Sequence, residues 1–335
     1  MRSRTMAVAG AALLLGLVLP GRALAVGASP GVTLGSPGAS WQGHGQRFEA
    51  APGGLGTRIT EVPAQGGTAL RSVSVPGRFG IPGVAYDGSV EQLPAASSTL
   101  VLAPWNAPLF PRHTTFVVLS TRDLRVLSRF TLPGAFAFDA LSPDGETLYL
   151  TEHTSASHIT RYRVRAYDLR AGRLLPGVIA DKSTGEWRMD GIPATRLQTA
   201  GGGWAYTLYQ GGEDGAFVHA LDTRTATAHC IDLPGMLHRN VMAMRLSLAD
   251  GGSQLVVRAG KRTVAAVDTR TFQVARAVPA ATPRTSSSSS PRRSSSSSSA
   301  LVIGLAAFVI LLIGGAGAAR LRWRMQHNPA HGGRS

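Results

Sequence analysis

Four times between residues 57 and 235 the sequence runs through one shape: an alternating apolar segment, a turn, a second such segment, then Pro-Gly. The copies are Thr57–Gly77 (ending Val75-Pro76-Gly77), Thr115–Gly134 (Leu132-Pro133-Gly134), Arg161–Gly177 (Leu175-Pro176-Gly177) and Ala216–Gly235 (Leu233-Pro234-Gly235). A fifth copy, Arg262–Val278, lacks the glycine. Its turn recurs as Tyr167-Asp168-Leu169-Arg170, Leu221-Asp222-Thr223-Arg224 and Val267-Asp268-Thr269-Arg270. An Asp there accepts hydrogen bonds from amides two residues on and favours chain reversal. Between Ser40 and Ala280 no long helical period is present, so the segments read as short strands and turns.

A second hairpin alternates with the first. Its fullest copy is Phe138-Asp139-Ala140-Leu141-Ser142-Pro143-Asp144-Gly145-Glu146-Thr147-Leu148-Tyr149-Leu150. Pro at the second turn position and Gly at the fourth suit a type I turn. Weaker copies end in Thr99-Leu100-Val101-Leu102, Ala205-Tyr206-Thr207-Leu208 and Gln254-Leu255-Val256-Val257. Taking Leu100, Leu148, Tyr206 and Leu255 as equivalent gives spacings of 48, 58 and 49 residues. Two hairpins per repeat make a four-stranded sheet, and a ring of such sheets covers faces that one sheet leaves bare. The expected fold class is therefore all-β, a β-propeller of about five four-stranded blades at about 31–77, 78–134, 135–178, 179–235 and 236–280. The first inner strand has to come from Gly31–Gly45.

The ends of the chain are different. Residues 1–25 carry two early arginines, an apolar core from Met6 to Leu19, then Pro20 and an Ala23-Leu24-Ala25 cleavage signal, the order of a secretory signal peptide. Residues 26–40 read as a flexible N-terminal segment or a first strand, and 41–280 as the extracytoplasmic domain. Residues 281–299, with two serine runs, form a stalk that has too little apolar surface to fold. Residues 300–319 hold no charge and match the length of a transmembrane helix. Arg320, Arg322 and Arg324 open a basic tail, 320–335, and place the C-terminus in the cytoplasm. The expected localisation is a single-pass cell-membrane protein with its N-terminal domain outside. Small residues such as Gly314 and Ala318 would let two such helices approach, so an oligomer through the helix is one expectation.

Ser142-Pro143-Asp144-Gly145 with Thr147-Leu148-Tyr149-Leu150, then Tyr167-Asp168 and Leu175-Pro176-Gly177, resembles the YVTN/WD40-like propeller repeat over roughly Thr57–Val278. With the signal peptide, stalk and C-terminal helix, the chain resembles actinobacterial membrane-anchored exported proteins. The resemblance implies that the segment before Ser-Pro-Asp-Gly is an inner strand lining a channel. It implies a fold and not a chemistry, since propellers host many functions.

The net charge of +15 does not indicate nucleic acid. Residues 41–280 hold 24 Lys and Arg against all 19 Asp and Glu, and the remaining ten arginines lie in the terminal segments. Cys230 is the only cysteine, so the domain has no internal disulfide; within His229-Cys230-Ile231 it reads as a small apolar core residue. The nine histidines are scattered, with no His-Glu-x-x-His or Cys-x-x-Cys, so no metal ligands and no cofactor are expected. Gly27-Ala28-Ser29-Pro30-Gly31 matches a nucleophile-elbow pattern but lacks the strand and helix that pattern needs.

Six residues before the turn glycines Gly145, Gly202 and Gly251 stand Asp139, Arg196 and Arg245. On inner strands they would share one level around the axis, either gripping an ionic ligand or forming an ion pair, Asp139 to Arg196, between blades. The insertion Ile179–Pro193 adds Trp187 and Arg188, residue types enriched in binding hot spots. No catalytic residues are assigned. The expected function is a binding or scaffold module whose partner is an envelope component, an exported protein or a small anionic ligand. The alternatives are an exported propeller hydrolase of lactonase type and a structural subunit of a membrane complex.

Overall fold

The strand segments pair with their immediate neighbours in sequence, because short turns between antiparallel strands close at the least cost in chain entropy. The structure, a computed structural model, describes residues 38–41, 43–90, 92–105, 107–181, 189–211, 215–236 and 239–276. The first meander comprises β1 (Ala39–Trp41), β2 (Gln46–Gly53), β3 (Gly56–Pro63) and β4 (Arg71–Pro76). The second comprises β5 (Phe79–Gly80), β6 (Thr99–Pro104), β7 (His113–Ser120) and β8 (Val126–Pro133). The third comprises β9 (Ala135–Leu141), β10 (Thr147–His153), β11 (Arg161–Asp168) and β12 (Arg173–Leu174). The fourth comprises β13 (Met189–Gln198), β14 (Trp204–Gly211), β15 (Ala216–Asp222) and β16 (Thr227–Asp232), and joins the third where Arg161 and Tyr162 pair with Asp190 and Met189. The fifth comprises β17 (Met244–Ala249), β18 (Gln254–Ala259), β19 (Arg262–Asp268) and β20 (Val274–Arg276). The described chain is thus nearly all β, in antiparallel sheets.

The repeated turn residues act as their chemistry requires. Asp168 Oδ1 accepts from the amides of Arg170 and Ala171 at 2.9 and 2.8 Å, and Asp268 Oδ1 from those of Arg270 and Thr271 at 2.9 and 2.8 Å. At all four Pro-Gly pairs the glycine lies at φ between 80° and 110°, a left-handed conformation that a Cβ disfavours. Two of these corners carry a staple that the repeat pattern did not reveal. Thr57 Oγ1 donates to Gly77 O (2.9 Å) and accepts from Phe79 N (2.7 Å). Thr114 Oγ1 does the same with Gly134 O (2.8 Å) and Phe136 N (3.0 Å).

The sheets stack face to face in chain order. On β6, Leu100 and Leu102 pack with Phe48 and Ile59 of the first meander, whereas Val101 and Ala103 pack with Phe136 and Phe138 of the third. On β10, Leu148 and Leu150 face the second meander and Tyr149 the fourth. On β14, Ala205 faces the third meander, and Tyr206 and Leu208 face Leu246, Leu255 and Val257 of the fifth. Ala205, not Tyr206, is therefore the counterpart of Leu100, Leu148 and Leu255. It pairs with Leu221 as Leu148 pairs with Tyr167, and a one-residue shift turns a side chain to the opposite face.

The inner strand sought in Gly31–Gly45 is β1, and the segment 26–40 ends in it. The expected signal peptide (1–25), stalk (281–299), membrane helix (300–319) and basic tail (320–335) lie outside the described residues. Among the described residues no helix is long and apolar enough to cross a membrane. Replacing Thr114 by Val removes both bonds of a buried staple and should lower stability by about 2 kcal/mol in urea denaturation. Thr115→Val, one position on and only half-buried, should change it by less than about 0.5 kcal/mol.

Candidate ligand site at the inner strands

The first strands of the third, fourth and fifth meanders, β9, β13 and β17, carry Asp139, Arg196 and Arg245, the residues singled out for an axial site. Two of the three share a level. The four-residue turns between β9 and β10, β13 and β14, and β17 and β18 align Gly145, Gly202 and Gly252, with φ of 75°, 76° and 96°. Counting six back from each gives Asp139, Arg196 and Leu246. Arg245 is one residue out of step because the glycine that aligns is Gly252 and not Gly251, so Leu246 packs toward the fourth meander while Arg245 points the other way.

Asp139 and Arg196 meet. Arg196 Nη1 lies 2.6 Å from Asp139 Oδ1, with the side chains only 3% and 5% exposed. Arg245 is 58% exposed and reaches Asp87 Oδ2 at 3.6 Å. The structure thus builds the ion pair between neighbouring sheets and gives Arg245 a different carboxylate. Trp187 and Arg188 lie outside the described residues.

The pair opens onto a polar row. Arg196 is opposite Thr207, Thr207 opposite His219, and His219 opposite Cys230, one continuous line across β13, β14, β15 and β16 on the face toward the third meander. An apolar row, Ala205, Leu221 and Ala228, flanks it on one side, and the Tyr209–Phe217 stack flanks it on the other. Asp181 closes the outer end, its Oδ2 accepting from Cys230 N at 2.9 Å. Cys230, the only cysteine of the sequence, is half-buried rather than a core residue, and its Sγ sits 4.0 Å from His219 Nδ1. The sequence held one clue to this row: a histidine amid the apolar Val218 and Ala220.

A thiol, an imidazole and a carboxylate in line suggest nucleophilic chemistry, which needs the imidazole to take up a proton. Burial pushes His219 down to about 4, and the nearby Arg196 acts in the same direction while Asp139 and Asp181 oppose it. An imidazole held that low is a weak base near neutral pH, and at 4.0 Å from the sulfur it is poorly placed to take up the thiol proton. Burial likewise raises Tyr162 and Tyr209, which cover it. Among the described residues no group of three or more His, Cys, Asp or Glu could hold a metal ion.

The expected second blade, about 78–134, needs a full first strand ahead of Thr99. Only Phe79–Gly80 pairs as a strand, and the chain that follows is strapped across the inner strands of other sheets. Tyr86 N donates to Pro193 O (2.7 Å), Asp87 N to Ala194 O (3.2 Å), and Gln92 N to Gln198 Oε1 (3.0 Å). Leu93 N donates to Ser40 O (2.9 Å), and Asp87 holds Arg245. Between this strap, β1, β2 and β13 lies a solvent-open cavity of about 470 Å³, walled by Ser40, Arg47, Ser89, Gln92, Arg196 and Gln198 among others. That volume falls within the range of small-molecule sites.

No protein-family model and no curated protein matches the sequence. Among solved structures the chain is similar to TolB from Acinetobacter baumannii, at 15% identity over 70% of this chain and 51% of that one, with a TM-score of 0.39. It is similar to the Cps50 (Swd1) β-propeller domain of Myceliophteria thermophila, at 11% identity over 71% and 69%, with a TM-score of 0.38. A prolyl endopeptidase is matched at 10% identity over 75% and 36%, with a TM-score of 0.41. All three are β-propeller proteins. The chain spans about half the length of the TolB chain it matches. Likenesses at this level carry no argument about ligand or activity.

Two outcomes follow from the polar row. Arg196→Ala strands a buried carboxylate and should cost about 3–5 kcal/mol in chemical denaturation, whereas the double change Asp139→Leu with Arg196→Met should cost less than half of that. Separately, the unfolded chain protonates a histidine near 6.5 and folded His219 only near 4, so the unfolded state binds more protons between those values. Stability should therefore fall as pH drops from about 6.5 toward 4, by up to about 3 kcal/mol from this group. His219→Gln should flatten that share of the slope, read as the difference between the two proteins' denaturation midpoints across pH.

Proposed function

We propose that the chain is a β-propeller of five four-stranded blades, held outside the cytoplasm by one C-terminal membrane helix, and that it binds rather than catalyses. The observation that carries the reading is the solvent-open polar cavity bounded by the inner strands β1 and β13 and the strap 81–98. Loops and strand ends on a rigid sheet scaffold can place hydrogen-bonding groups without reorganising, which is what a binding site needs. Five meanders stacked in chain order supply such a scaffold. Their last joint, fifth meander to first, would close on polar surface: the face of the first meander turned away from the second carries Arg47, Glu49, Arg58 and Thr60.

In this reading Arg196 contributes to the cavity wall, Asp139 fixes Arg196, and Arg245 anchors the strap through Asp87. Trp187 and Arg188, which precede β13 in the sequence, serve as recognition residues. The occupant is a small molecule or a projecting part of an envelope component or exported protein. The signal-like start, serine-rich stalk and apolar 300–319 support display at the membrane surface. Protease added to intact cells should remove the domain and leave a membrane-embedded C-terminal fragment. Full protection without permeabilisation would overturn the display. Filling the cavity by Ser40→Trp should abolish ligand-induced stabilisation, and stabilisation that survives the change would move the site elsewhere.

A further inference from the structure

Resting on the reading of the cavity as a binding site, we infer that its ligand is an uncharged, hydroxyl-rich molecule of sugar size and not an anion. The argument is one of charge compensation. The described arginines that line the cavity or hold the strap, Arg47, Arg196 and Arg245, each face a carboxylate. Arg47 donates to Glu49 Oε1 through both Nε (3.1 Å) and Nη2 (2.6 Å). Arg196 is bound to Asp139 at 2.6 Å, and Arg245 faces Asp87 at 3.6 Å. Three cations are matched by three anions. An entering phosphate or carboxylate would have to displace one of those carboxylates or sit beside it, and repulsion in a partly desolvated site is only weakly screened.

The wall between these pairs is made of groups that both donate and accept. Ser40 and the amides of Gln92 and Gln198 are of this kind. Ser89 Oγ donates to Asp87 Oδ1 at 2.5 Å and keeps lone pairs for a donor in the cavity. The Gln92 amide holds Gln198 Oε1 at 3.0 Å, so that side chain is oriented before any ligand arrives. A sugar hydroxyl is likewise donor and acceptor, and its recognition leaves no buried charge unpaired. Trp41 is on the opposite face of β1 from Ser40, packed with Phe48 and His44, so recognition here is by hydrogen bonds rather than by stacking on that ring.

The test uses the purified full chain in a detergent without a sugar headgroup. Thermal shift and calorimetry compare maltose and N-acetylglucosamine with glucuronate, glucose 6-phosphate and inorganic phosphate. The inference expects saturable binding of a neutral sugar, at least about ten-fold tighter than its charged counterpart. It also expects binding to be lost in Ser40→Trp, or in Gln92→Trp should the first fail to fold. Glu49→Gln, which frees Arg47, should raise affinity for the anions about ten-fold or more and leave the neutral sugar within about three-fold. Tighter binding of the anions by the unaltered protein would overturn the inference while leaving the cavity a binding site. No binding of any probe would overturn both. Neutral-sugar binding that persists with the cavity filled would place the sugar elsewhere and overturn the inference.

Discussion

The middle strands of these sheets are apolar on both faces, and the rest of the structure depends on that. Leu100 and Leu102 point one way from β6, while Val101 and Ala103 point the other; β10 and β14 repeat the arrangement. A buried Leu or Val is worth roughly 1.5–3 kcal/mol relative to an exposed one. A lone four-stranded sheet leaves both faces in water, so the second, third and fourth meanders take their chain neighbours as their two covers. The outermost strands escape the constraint, and Val126 and Leu127 of β8 stay largely exposed. The first meander is more polar on one side, where Arg47, Glu49 and Arg58 stand with the single buried Val62.

Stacked sheets of this kind have a problem where their inner edges converge: backbone and polar side chains are buried with few neighbours to satisfy them. Here the solution is a set of compensated pairs. Asp139 answers Arg196 across the third and fourth meanders, and Asp87, brought by the strap, answers Arg245 on the fifth. The polar row from Arg196 to Cys230, between an apolar and an aromatic row, gives the packing of the fourth meander on the third a register that apolar contacts alone would leave loose. The cost is visible in the same place. Asp139 Oδ2, Thr207 Oγ1 and His219 Nε2 are buried without a hydrogen-bond partner among the described residues.

What could be read from the sequence was local. Asp168, Asp222 and Asp268 mark their turns because the bonds they make are to amides two and three residues on, and each Pro-Gly marks a corner because its glycine takes a positive φ. The alternation in β6 and β10 likewise carries its own period. Local patterns fail where they are degenerate. Gly251 and Gly252 stand side by side, and only the second aligns with Gly145 and Gly202, which puts Leu246 rather than Arg245 on that level; Ala205 and Tyr206 are adjacent in the same way, and only the first matches Leu148. Nothing local announces the strap, since Tyr86 and Asp87 bond to Pro193 and Ala194, more than a hundred residues away. The Asp139–Arg196 contact was legible only as one of two outcomes of a shared register, and the structure builds that one. The row through His219 to Cys230 required knowing which residues sit opposite across three strand pairs.

Compensation of charge bears directly on what such a centre can do. Catalysis asks for a group held away from its comfortable protonation state, or for a charge waiting for a transition state. Here burial holds His219 low, so its imidazole is a weak base near neutral pH, and the arginines nearest the cavity are already answered by carboxylates. What is left on the wall is shape together with hydroxyl and amide groups, some of them fixed in advance by the strap. Those are the means of recognition by complementarity. If the cavity binds as proposed, such a wall selects its ligand by where the hydrogen bonds fall.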